Sequence, residues 1–176
     1  MQPRWTLYLA GPGVFRADWQ AWGLRLQALA QQYGWQALYP MDNQLPAESS
    51  PEALRQAIYR SNLAMIEACD ALFADMRAFR SGVEPDSGTA FEVGYAAALG
   101  KPVILWLPDV IEGATMLSRV PHARDEQGTP RDPDGLAVED FGAPLNLMLM
   151  GAAHCVIHAS TPELALALLA DWKAAR

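Results

Sequence analysis

Short apolar runs of strand length alternate along this chain with longer segments of helical period. Thr6, Leu7, Tyr8, Leu9 and Ala10 form the first run and read as a buried strand, closed by a Gly-Pro-Gly turn at 11–13. Over 17–33, Trp19, Trp22, Leu26, Leu29 and Ala30 recur at helical spacing. A second strand is expected over 35–39, ended by Pro40, and a polar loop follows over 41–50. Ser50 before Pro51 and Glu52 signals a helix start, with proline at the first helical position, and that helix is expected to run to about Ala68. A third strand is expected over 71–74 and a helix over 87–99 with Gly100 as its stop. A fourth strand is expected over 102–107, a short helix over 145–150, a fifth strand over 155–157, and a final amphipathic helix opening at Thr161-Pro162-Glu163. Residues 108–143 are rich in Pro, Gly and charge without a strong period, which in a compact domain marks a functional or mobile segment.

This alternation predicts an α/β fold: a flavodoxin-like, doubly wound, five-stranded parallel sheet with helices on both faces. The length of 176 residues suits one domain spanning 1–176. In such sheets a ligand sits beyond the carboxyl ends of the strands. That rule selects the loops 10–16, 40–46, 75–88 and 108–115.

Charge and composition narrow the chemistry. The formal net charge is −7 and the lysines are Lys101 and Lys173 alone, so the chain lacks the cations that neutralise a nucleic-acid backbone. Cys69 and Cys155 lie apart in apolar stretches and read as buried small hydrophobes. His122, His154 and His158 form no metal-ligand pattern, so neither metal nor cofactor is expected. No signal peptide and no bilayer-length apolar run is visible, which predicts a cytoplasmic protein without membrane attachment.

Several side chains could carry chemistry. Glu92 has Ala90, Phe91, Val93, Ala96, Ala97 and Ala98 around it in sequence, which predicts a helix buried against the sheet. A glutamate there needs a partner or a purpose. Asp86 precedes that helix; Ser87 or Thr89 could cap it instead, so Asp86 is not required as a cap. The loop after the first strand has no GxxxxGK[ST] pattern, and its glycines, Gly11 among them, serve close approach of backbone to a small ligand. Tyr8 belongs to the core or points its hydroxyl to a carboxylate at the strand end. Asp42 and Asn43 read equally as turn chemistry or as groups matching the edge of a nucleobase. Asn62 reads as an ordinary helical residue. Asn146, alone among Leu and Met, caps a short helix or meets a ligand.

Taken together these segments resemble the nucleoside 2-deoxyribosyltransferase family. They are Tyr8-Leu9-Ala10-Gly11-Pro12 with Val14-Phe15, Pro40-Met41-Asp42-Asn43, Ala68-Cys69-Asp70-Ala71 and Pro144-Leu145-Asn146-Leu147-Met148. The longest and most specific is Glu84-Pro85-Asp86-Ser87-Gly88-Thr89-Ala90-Phe91-Glu92-Val93-Gly94-Tyr95-Ala96. The resemblance implies a homo-oligomer that exchanges a 2′-deoxynucleoside's base for a free nucleobase. It implies Glu92 as nucleophile, Tyr8 as its hydrogen-bond donor, Asp86 on the sugar 5′-hydroxyl, and Asn146 reaching a neighbouring subunit's site. Asn62 stands where some members carry an aspartate that helps position the base, so Asp42 is expected to protonate the leaving base. Gly11, Phe15, Asn43, Asn62, Gly88 and Met148 complete the expected substrate-binding set. The alternatives are a 2′-deoxynucleoside 5′-monophosphate N-hydrolase and a non-catalytic nucleotide sensor. The hydrolase would have to bring a phosphate close to Asp86, which is repulsive.

Overall fold

The computed structural model describes residues 5–42 and 50–175. Its main sheet has five parallel strands: β1 (Thr6–Ala10), β2 (Gln36–Leu38), β3 (Ala71–Asp75), β4 (Val103–Leu107) and β5 (Cys155–His158). They lie in the order β2-β1-β3-β4-β5. This is the doubly wound order expected from the sequence, with its switch point between β1 and β3. Every residue of β3 and β4 is buried, as central parallel strands covered on both faces must be.

The period-2 alternation of the strands divides the core in two. Leu7, Leu9, Phe73, Ile104 and Trp106 face α1 (Trp19–Gln32) and α6 (Pro162–Ala174), where Trp22, Leu26, Leu166 and Leu169 close the layer. Tyr8, Ala10, Leu72, Ala74, Val103 and Leu105 face the other way. They meet Ile66 of α2 (Pro51–Ala68) and Val93 and Ala96 of α3 (Ser87–Ala98), with Leu145 beside them. The parity of β1 therefore assigns Tyr8 to the layer that contains α3.

Helix starts follow the sequence signals closely. Ser50 Oγ accepts from Ala53 N–H at 3.3 Å and Thr161 Oγ1 from Leu164 N–H at 3.3 Å, each ahead of a proline. Gly100, at φ +68, ends α3 as expected. Three expectations need correction. Asp86, not Ser87 or Thr89, caps α3, its Oδ2 accepting from Thr89 N–H at 2.8 Å and Thr89 Oγ1 at 3.0 Å. The α3 helix is only half-buried, for Phe91 is 50% exposed and Gly94 and Ala98 face outward. The stretch 108–143, where no helix or strand was expected, carries short ones. It holds α4 (Met116–Arg119), capped by Thr115, and a small hairpin pairing Ala123–Arg124 with Pro130–Arg131. The Arg119 guanidinium donates to the carbonyls of Pro144 and Val83, tying this segment to the approaches of α3 and of α5 (Leu147–Ala152).

The chain leaves β1 through Gly11 at φ +146, where a Cβ would lie 2.7 Å from Asp75 Cβ on the neighbouring strand. Only glycine fits this crossing at the switch point. Gly11→Ala should cost about 1–3 kcal/mol through overpacking and backbone strain, lowering Tm by roughly 2–12 °C. Gly151→Ala, inside α5 with open space around its Cβ, should be neutral or stabilising by up to about 1 kcal/mol. Thermal melts followed by circular dichroism check both.

Candidate active site

Three elements converge beyond the carboxyl end of β1. Tyr8 is fully buried and aims its hydroxyl at α3, where it donates to Glu92 Oε1 at 2.6 Å. From α2, Asn62 Nδ2 lies 3.5 Å from the same oxygen. Oε1 is thus held by two donors, whereas Oε2 has no hydrogen-bond partner among the described residues. Among the described residues Asn62 Oδ1 is buried without a partner, an acceptor left for something else to satisfy. Asp86, Thr89 and Glu92 are spaced by three along α3, so the cap, the buried threonine and the glutamate share one face.

Above Glu92 lies a cleft of about 360 Å³, within the range of small-molecule sites. Its walls differ in chemistry. Val14, Phe15, Met41 and Ile58 make an apolar side, and Asn62, Asp86, Thr89 and Glu92 a polar floor. Gly11 and Gly88 line it with backbone. Of the positions expected from the sequence, Gly11, Phe15, Asn62, Asp86, Gly88 and Glu92 come together here, with Tyr8 beneath. Tyr8 is wholly covered, so it touches Glu92 and not the open cleft.

The remaining expected positions lie elsewhere. Asp42 does not reach the cleft. Its Oδ2 accepts from Tyr39 N–H at 2.9 Å and Gln27 Nε2 at 2.6 Å, and it lines a separate groove with Trp19 and Leu24. The turn reading of Asp42 is the one its geometry supports, and a carboxylate held there cannot protonate a base over Glu92. Asn43 lies outside the described residues. Asn146 caps α5, accepting from Met148 N–H at 3.0 Å and donating to Glu139 Oε1 at 2.5 Å. Neither it nor the exposed Met148 lines this chain's own cleft, and no cleft residue comes from 108–150. Reading the sequence missed Ile58 and the inward placement of Asn62. The signal was there: Ile58, Asn62 and Ile66 recur at i, i+4 and i+8, and Ile66 is a core residue. Among the described residues no group of three or more His, Cys, Asp or Glu side chains is arranged to hold a metal ion. No helix among them is long and apolar enough to cross a membrane.

Burial pushes the Glu92 carboxyl up to about 7, against the Tyr8 hydrogen bond, which favours the charged form; the Asp86 charge adds to the rise. Removal from water thus outweighs one donor. The same burial, with the adjacent carboxylate, raises the Tyr8 phenol, which stays protonated as a donor. A carboxyl raised above its ordinary 4.5 favours the fold when neutral. That contribution is complete below about pH 4.5 and is lost as pH rises to about 7. Glu92→Gln, uncharged at all pH, should therefore be more stable than the native chain at pH 8.5 by about 2–3 kcal/mol. The two should melt within about a degree of each other near pH 4.5. Paired melts across that range check it.

The site has counterparts among known proteins. The sequence pattern of the family described as nucleoside 2-deoxyribosyltransferase matches residues 7–148. A 2-desoxiribosyltransferase from Leishmania mexicana has a similar structure. It is 36% identical with a TM-score of 0.71, over 96% of this chain and 98% of that one. A 2-deoxyribosyltransferase from Bacillus psychrosaccharolyticus, 23% identical, shares the fold at a TM-score of 0.56, over 88% and 87% of the two chains. A CMP N-glycosidase from Clostridium botulinum, 19% identical, shares it at 0.50, over 95% and 98%. An uncharacterized protein of Schizosaccharomyces pombe is 28% identical over 161 residues, 82% of this chain and 75% of its own length. The family supports an enzyme of glycosyl transfer or hydrolysis. With its pattern matched from β1 to the start of α5, this chain belongs to the nucleoside 2-deoxyribosyltransferase family.

Proposed function

We propose that the protein exchanges the nucleobase of a 2′-deoxynucleoside through a covalent 2-deoxyribosyl ester on Glu92. One observation carries the reading: a glutamate at the floor of a nucleoside-sized cleft, with one oxygen clamped by Tyr8 and Asn62 and the other free. In this reading Oε2 attacks C1′ as the C1′–N bond breaks and its electron pair leaves with the base. A second base then attacks C1′ from the original face and releases Oε2, and two inversions preserve the β-configuration. Clamping Oε1 fixes the attack angle of Oε2, so little freedom is lost at the transition state.

The two-sided cleft orients the substrate. The apolar wall suits the base and the polar floor the sugar, with Asp86 placed for the 5′-hydroxyl. Two of Asp86's interactions are already used in capping α3, which fixes its carboxylate while leaving Oδ1 free for a donor. A negative Asp86 also opposes a 5′-phosphate, which favours the unphosphorylated nucleoside over a monophosphate. With Asp42 committed to its turn, the proton for the leaving base comes from solvent or from another group at the cleft mouth. We further propose that the Asn146–Met148 corner serves a neighbouring copy's cleft. Met148 is 73% exposed, and Asn146 keeps one Nδ2 hydrogen beyond its bond to Glu139.

Deoxyinosine with free adenine should yield deoxyadenosine and hypoxanthine together, read by chromatography, and Glu92→Ala should abolish both. Release of free deoxyribose without exchange would overturn the transferase reading. The ionised Glu92 is the reactive form, so kcat/KM should climb with pH through about 7. Tyr8→Phe should move that limb to higher pH and lower kcat/KM at pH 6 by about 10- to 100-fold, the worth of a hydrogen bond to a charged group. A pH–rate profile of both proteins checks this.

A further inference from the structure

A cation stands against Phe15, one of the residues of the cleft's apolar wall, outside the machinery described so far. The loop between β3 and α3 folds back on itself, with Ala78 bridging Pro85 and Phe79 N–H donating to Glu84 O at 3.0 Å. Within it Arg80 has φ +55, the single non-glycine residue of positive φ among those described. That region favours glycine or asparagine, so an arginine there is held against its backbone preference. Its guanidinium lies 4.6 Å from the centre of the Phe79 ring and 5.1 Å from that of Phe15. The two rings stack at 5.0 Å. The arginines nearby are neutralised, Arg16 by Asp18 and Arg77 by Asp75, each at 2.7 Å. Arg80 has no ion pair or hydrogen bond among the described residues. Phe15, 56% exposed, belongs both to this stack and to the cleft wall.

We propose that Arg80 is a specificity-determining residue that reads the nucleobase and favours 6-oxopurines over adenine. The inference rests on the nucleoside reading of the cleft. With C1′ over Glu92 and the sugar on the polar floor, the base runs along Val14 and Phe15, and its far edge arrives beside Arg80. A guanidinium donates and never accepts. A 6-oxopurine presents O6 and N7 as adjacent acceptors, which fit a forked donor; adenine presents N7 beside an N6 amino donor, which repels one arm of the fork. Seating the planar guanidinium against two aromatic rings holds it in place without neutralising it.

The test compares native protein with Arg80→Asn, which tolerates the same backbone region, and with Arg80→Lys, which keeps charge but loses the fork. Melting curves confirm that the variants fold. With deoxyinosine and deoxyadenosine as competing donors, the ratio of their kcat/KM values should fall about 5- to 100-fold in Arg80→Asn, the span of one base-edge contact. It should fall in Arg80→Lys as well. An unchanged ratio in both variants overturns the proposal. Calorimetric titration of free hypoxanthine and adenine reads the same preference without chemistry. A native protein that exchanges no bases but loses its hypoxanthine preference in Arg80→Asn would sink the transferase reading and keep this one. Exchange with a preference indifferent to Arg80 would do the reverse. A native protein that neither exchanges bases nor binds either base would overturn both.

Discussion

The hydrogen bond from Tyr8 to Glu92 joins the two halves of the site, and the placement of everything around it follows from where those side chains can meet. Tyr8 lies on an inner strand and Glu92 on a covering helix, 84 residues apart in the chain. Their meeting requires that the odd-and-even alternation of β1 put Tyr8 on the α2–α3 face. It also requires that α3 begin at Asp86, so that the glutamate falls two turns along on the inward side. A one-residue shift in either register would send one of the two groups to the wrong layer.

This contact resolves a conflict between two demands on one carboxylate. In the proposed reaction, attack on a sugar carbon benefits from a nucleophile removed from water, yet removal from water favours the neutral acid. Glu92 sits at the balance, its carboxyl pushed up to about 7 by burial and held from rising further by Tyr8. Asn62 contributes to the clamp without adding charge. An aspartate in its place would set a second negative charge beside Glu92 and push its carboxyl higher still. The neutral amide at this position is thus compatible with a carboxyl whose pKa is already raised.

Backbone constraints shape the cleft as much as side chains do. Gly11 lets β1 pass against Asp75 at the switch point, and the turn that follows delivers Val14 and Phe15 as one wall. Behind that turn the buried Asp75 holds Arg77 at 2.7 Å, and the Arg77 guanidinium lies 5.8 Å from the Trp22 ring centre and 5.6 Å from that of Trp106. This network belongs to the scaffold. It fixes the loops after β1 and β3, the two that frame the ligand position in a doubly wound sheet.

The sequence by itself determined the α/β order, the caps of α2 and α6, the stop of α3, and the identity of Glu92, Asp86 and Tyr8 as candidates. These are encoded by local periodicity, by capping chemistry and by a long contiguous motif, all of which act within a few residues. Only the tertiary structure decided which candidates share a space. It drew Asp42 away to Gln27 and the end of β2, turned the ordinary-looking Asn62 inward to Glu92, and left Asn146 and Met148 off this chain's cleft. It also set Arg80 beside Phe15, across a turn that nothing in the local sequence announces. The reason is physical: hydrogen-bond partners and burial depend on contacts between segments far apart in the chain, and a residue's own neighbours in sequence carry no record of them.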